Sequence, residues 1–156
     1  MNLHTHFLFP VAISLLFYKL NFLSWPLVLA SGLVGMLIDL DHYLEHILHA
    51  KKNRFSIIAT WNNSIKFHRF NQRSFIHDGP GILIITAVLL ICSYFYWRLA
   101  LALAIGYYSH ILLDHLHLKK EKYFRGKLGA YFLKESYFEI WLDLLLIITI
   151  GVLVLG

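Results

Sequence analysis

The stretch LALAIGYYSHILLDH, Leu101–His115, decides how this chain is read. Its first half is apolar. Its second half sets His110 and Asp114 four residues apart, on one face of a helix. An ionisable pair closing so apolar a run is either a hydrogen-bonded couple or part of a polar site at membrane depth. The pairing recurs. HTHFLF, His4–Phe9, opens another apolar run, and MLIDLDH, Met36–His42, closes a third.

The totals favour a membrane setting. Of 156 residues, 58% are hydrophobic and 15% charged, and the mean hydropathy is +0.62. A soluble domain carries about a quarter charged residues. The length suits one domain, taken here as 1–156. The single cysteine, Cys92, excludes an internal disulfide and a cysteine zinc site, and reads as apolar filler.

Five apolar spans are expected, at roughly 4–21, 25–41, 80–97, 99–115 and 138–155. Each lies near the short end of the ~20 residues that cross a bilayer. The fold expected is therefore an all-α integral membrane bundle of about five transmembrane helices. Pro26 suits the first turn of the second, and Arg98 marks the turn between the third and fourth. Two polar connections remain, 42–79 and 116–137. One holds Lys51, Lys52, Arg54, Lys66, Arg69 and Arg73; the other holds Lys119, Lys120, Lys122, Arg125, Lys127 and Lys134. Lys19 and Arg98 fall on the opposite side. The positive-inside rule then places the N-terminus and both connections in the cytoplasm and the C-terminus outside, in a cell or inner membrane. It also accounts for the net charge of +5, so no nucleic-acid partner is expected. A cleaved leader is disfavoured because no basic residue precedes the first apolar run.

That orientation gathers five polar clusters on one membrane face. They are His4 and His6; Asp39, Asp41 and His42; His77 and Asp78; His110 and Asp114; and Glu139 and Asp143. Ionisable groups at membrane depth are costly unless paired or hydrated. Imidazole and carboxylate together form a common ligand set for Zn²⁺, Mn²⁺ or Fe²⁺. A divalent metal, zinc first and manganese or iron as alternatives, would offset the cost. Each cluster also has a plainer reading. His110 and Asp114 can hydrogen-bond each other. Asp39, Asp41 and His42 can mark a span ending in water, though two carboxylates there oppose the helix dipole. Asp78 and Pro80 suit a helix start, and Ser136-x-x-Glu139 suits a capping box. Asp143, one turn deeper, is harder to explain as a cap. His42-Tyr43-Leu44-Glu45-His46 matches an inverted zinc-peptidase pattern, but continues through His49 as a His-rich helix face. Gly106 fits close helix packing or the approach of a substrate. His68, Arg69 and Arg73 can bind phosphate or simply supply positive charge.

In order, these motifs resemble the YdjM-like family of small membrane-bound metal-dependent hydrolases. The matching residues are Thr5-His6, Asp39-Leu40-Asp41-His42, Arg73-Ser74-Phe75-Ile76-His77, and Gly106-Tyr107-Tyr108-Ser109-His110 through Asp114. Ser136 to Glu139 aligns with a further feature. The chain departs from the family pattern at Ile38, Gln72 and Ile76. The family is distantly similar to the zinc phospholipase C and P1-type nuclease group of all-helical phosphoesterases. The resemblance implies a hydrolase acting on a phosphoester, phospholipid or lipid-linked substrate within the membrane. The expected metal ligands are His6, Asp39, Asp41, His42, His77, His110 and Asp114. Asp39 or Glu139 would accept a proton, and His68, Arg69 and Arg73 would hold an anionic headgroup. Two rival readings are a metal-ion or proton transporter and a non-catalytic membrane protein with a structural metal. The sequence leaves the oligomeric state open.

Overall fold

The computed structural model describes residues 3–61, 75–120, 127–128 and 135–156. The protein is all-α. Among the described residues six helices follow in order: α1 (Leu3–Lys19), α2 (Trp25–Leu37), α3 (Leu40–His49), α4 (Ile57–Trp61), α5 (Gly79–Lys120) and α6 (Tyr137–Leu155). A 3-10 turn at Phe75–His77 precedes α5. Among the described residues, the β-structure is one antiparallel ladder pairing β1 (Lys127–Leu128) with β2 (Glu135–Ser136).

Two boundaries differ from the sequence expectation. The second span, expected to run to 41, ends at Leu37, and α3 begins at Leu40. Asp39 is the N-cap residue of α3 and Asp41 lies in its first turn. Both carboxylates therefore stand at a helix N-terminus, where the dipole favours them. The third and fourth spans, expected to part at Arg98, form one element, α5, broken where Tyr96 leaves helical geometry (φ −140°, ψ 62°). Among the described residues two stretches are long and apolar enough to cross a membrane, Gly79–Leu116 and Tyr137–Leu155, while α2 is apolar but shorter. Along both stretches large apolar side chains are exposed, among them Leu83, Leu90, Phe95, Trp141 and Ile148. A soluble surface seldom carries so much continuous apolar area.

The chain divides into two compact units, 1–36 with 89–156, and 37–88. In the first, α1, α2, the later part of α5 and α6 pack around Val11, Leu15, Leu23, Val28 and Ala102. Glycines set the spacing. A Cβ on Gly32 would stand 2.6 Å from Val11, and one on Gly35 would stand 2.5 Å from the backbone oxygen of His6. One on Gly106 would stand 2.5 Å from the backbone oxygen of Ser31. Side-chain-free crossings of this kind are how helices meet closely without a hydrophobic driving force. Where α1 and α2 touch deeper in, the buried Ser14 hydroxyl donates to Ser31 Oγ at 2.7 Å, and Ser31 donates to the Val28 carbonyl at 2.7 Å. Both hydroxyls are thus satisfied without water, as apolar surroundings demand.

In the second unit, the chain leaving α3 is held by side chains. His46 Nε2 lies 3.2 Å from the Asn53 carbonyl, Arg54 Nε donates to the Ala50 carbonyl at 2.7 Å, and the Tyr43 hydroxyl donates to the Phe55 carbonyl. Ser56 Oγ accepts from the Ala59 N–H in the first turn of α4. His46 thereby holds the chain beyond α3, which explains its burial without a peptidase role. At the start of α5, the Asp78 carbonyl accepts from the Ile82 N–H at 2.9 Å. Asp78 is therefore the residue that begins the helix, and Pro80 falls in the first turn, where no N–H is needed.

Candidate metal centre

In the first unit three helix ends meet: the start of α1, the late part of α5 and the start of α6. The close crossing at Gly35 and Gly106 brings the α2 backbone beside α5. There His110 Nδ1 lies 2.7 Å from the Gly35 carbonyl. A carbonyl only accepts, so Nδ1 carries the proton and donates it. In the neutral ring Nε2 is then the lone-pair nitrogen. It points at Asp114, 3.5 Å from Oδ2. The His6 ring stacks on that of His110, with centroids 4.2 Å apart and planes 28° apart. Its Nε2 lies 3.3 Å from Asp114 Oδ1. Both histidines are fully buried, while the Asp114 side chain is 30% exposed.

These separations fit a shared ion. A charge-assisted hydrogen bond closes to about 2.7–2.9 Å. The two imidazole–carboxylate separations are both longer. Ligand atoms about 2.0–2.1 Å from one tetrahedral ion are about 3.3 Å from each other. The donor set fits the same conclusion. The lone pair of His110 Nε2 and the carboxylate of Asp114 repel each other unless a cation lies between them or a proton is added. Holding a ligating histidine by its other nitrogen, on a backbone carbonyl, is the usual way of fixing ring orientation at a metal.

The second unit repeats the device with a carboxylate. His77 Nδ1 donates to Asp41 Oδ2 at 2.9 Å, and both side chains are more than nine-tenths buried. His77 Nε2 is left as its lone-pair nitrogen. Ligand atoms of Asp39 and His77 lie within 4.8 Å of each other, as do those of His110 and Asp114 in the first unit. Asp and His side chains that could hold a divalent ion are thus present. Asp41 faces the Nδ1 side of His77 and acts on it as an orienting carboxylate. We expect Asp41→Ala, which takes this acceptor from the buried His77 Nδ1–H, to cost about 1–3 kcal/mol of stability, measured as a fall in the melting temperature of the purified protein.

The remaining expected residues fall as follows. His42 lies in the first turn of α3 and its side chain is outside the described residues. His68, Arg69 and Arg73 also lie outside them. Glu139 is buried on α6. Three residues matter more than the sequence suggested. His4, grouped with His6 in the sequence but left out of the expected ligand set, has Nε2 2.8 Å from Asp143 Oδ2. Thr5 Oγ1 donates to the same oxygen at 3.2 Å. These contacts tie α1 to α6 one residue before His6. The available signal was the depth of Asp143, a full turn beyond any capping position.

A family model described as YdjM inner membrane protein matches residues 1–125. The chain belongs to that family and is accordingly an inner-membrane protein. No curated protein and no solved structure matches it.

Proposed function

We propose that this inner-membrane protein is a metal-dependent hydrolase acting on a phosphoester, of a phospholipid or another lipid-linked substrate. One observation carries the reading. The lone-pair nitrogen of a buried histidine, fixed by the Gly35 carbonyl, faces a carboxylate together with a second buried histidine, at the spacing of co-ligands. His6, His110 and Asp114 would hold the ion, zinc before manganese or iron. A divalent ion bound there lowers the pKa of a coordinated water toward neutrality and polarises a phosphoryl oxygen.

The other roles belong to the chain's own groups. The Gly35 carbonyl keeps His110 in one tautomer. Asp114, partly exposed, stands where a substrate can arrive. A carboxylate outside the ligand set takes the proton of the attacking water. His68, Arg69 and Arg73 hold the anionic headgroup. We place five crossings in the membrane. Gly79–Leu116 has 38 residues, or about 57 Å at 1.5 Å per residue, close to twice the ~30 Å hydrocarbon core. Divided at Tyr96, it makes two spans. With the N-terminus cytoplasmic, the site opens at the inner leaflet, where a lipid enters sideways from the bilayer.

A carrier would need polar groups through the whole depth of the membrane. Beyond Ser14 and Ser31 the first unit is filled by Leu15, Leu23 and Val28, which favours a site over a path. The test is hydrolysis of phosphomonoester, phosphodiester and phospholipid substrates by detergent-purified protein, with a proteoliposome flux assay beside it. Release of product that stops with chelator and returns with Zn²⁺ or Mn²⁺ supports the reading. Metal or proton flux without hydrolysis of any of them contradicts it.

A further inference from the structure

The contact between α1 and α6 carries more buried charge than a helix clamp requires. Asp143 and Glu139 lie one turn apart on α6, and their exposures are 7% and 4%. Residues so spaced are neighbours on one helix face, where like charges repel. Their placement near the start of α6 gives some relief from the helix dipole, which is small beside the cost of burying a carboxylate. On the α1 side Asp143 meets His4, whose side chain is 40% exposed.

The orientation of Asp143 is specific. Oδ2 receives both contacts from α1, the Thr5 hydroxyl and His4 Nε2. Oδ1 is buried and has no hydrogen-bond partner among the described residues. An orphaned carboxylate oxygen in the interior is destabilising, the more so when it is charged. A carboxylate gripped by one oxygen so that the other is presented is the arrangement of a metal ligand supported from outside.

We propose that Asp143, through Oδ1, and Glu139 form a second divalent-cation site. Thr5 and His4 hold Asp143 in place from the α1 side. An oxygen-rich pair of this kind takes a hard cation, Mn²⁺ or Mg²⁺ before Zn²⁺. The site uses none of the residues His6, His110 and Asp114. It stands whether or not the protein is a hydrolase.

The test is Mn²⁺ stoichiometry, by elemental analysis and by equilibrium binding, on the full-length detergent-purified protein. The wild type is compared with Asp143→Asn, Glu139→Gln and Asp114→Ala. The asparagine oxygen still accepts from Thr5, so the α1–α6 contact survives, and a matched elution profile and melting temperature verify it. The expected result is two equivalents in the wild type and one in either α6 variant. Full wild-type stoichiometry in both Asp143→Asn and Glu139→Gln overturns the second site. So does loss of all metal in Asp143→Asn, which would place Asp143 in a single shared site. If Asp114→Ala loses no metal while Asp143→Asn does, the α6 site stands and the metal reading of His6, His110 and Asp114 falls. No Mn²⁺ bound by the wild type removes both.

Discussion

Asp114→Ala is expected to abolish metal-dependent hydrolysis while leaving the helices assembled. Asp114 faces both buried histidines, 3.3 Å from His6 Nε2 and 3.5 Å from His110 Nε2. Its removal deletes the negative charge that balances the ion and leaves two neutral nitrogens as the remaining ligands. Loss of a supporting outer partner already costs about 10–100-fold in affinity, so loss of this ligand should exceed that range. The fold should suffer little. His110 keeps its bond to the Gly35 carbonyl and its stack on His6. The check is a Zn²⁺ or Mn²⁺ titration beside a thermal melt in detergent. A collapsed melting temperature with metal affinity retained would show that Asp114 supports the fold and not the ion.

Gly35→Ala is expected to have the largest effect on assembly. The added carbon would stand 2.5 Å from the His6 backbone oxygen and 2.9 Å from Pro10. A backbone oxygen within a helix has no rotamer to change, so α1 and α2 must separate. Overpacking of this kind costs about 1–3 kcal/mol, occasionally more, against a total stability of about 5–15 kcal/mol. The shift also displaces the two features that define the site, the His6 backbone and the Gly35 carbonyl. Metal affinity should therefore fall with the melting temperature. Gly151→Ala is the matched control, since a Cβ there meets nothing within 4 Å. Equal behaviour of the two variants would contradict the close crossing.

The helices were legible because membrane-type helices are written as long apolar runs, and α1, α2, α5 and α6 fall where the runs lie. Their ends were less legible. The run 25–41 is interrupted by charge only at Asp39 and Asp41, with no glycine or proline at the break, so the end of α2 at Leu37 left no mark. The same gap reversed the reading of those two carboxylates, which begin a helix and do not end one. At the site, residue types were legible and partners were not. That His6, His110 and Asp114 belong together followed from the polar groups gathering at one depth. That His110 would be fixed by a backbone carbonyl 75 residues away could not, because a carbonyl has no side chain to signal it. The buried pair Ser14 and Ser31 was invisible for a related reason. Isolated serines in apolar helices commonly bond their own backbone, and only the crossing of α1 and α2 gives these two to each other.

The central claim is that the buried histidines and Asp114 hold a divalent ion. The most direct measurement is elemental analysis of the detergent-purified wild type beside His110→Ala/Asp114→Ala, both after reconstitution with Zn²⁺, Mn²⁺ and Fe²⁺. A stoichiometric metal is expected in the wild type and at least one equivalent fewer in the double variant. Equal metal in the two proteins, or none in either, would contradict the claim and leave His110 and Asp114 as a hydrogen-bonded pair.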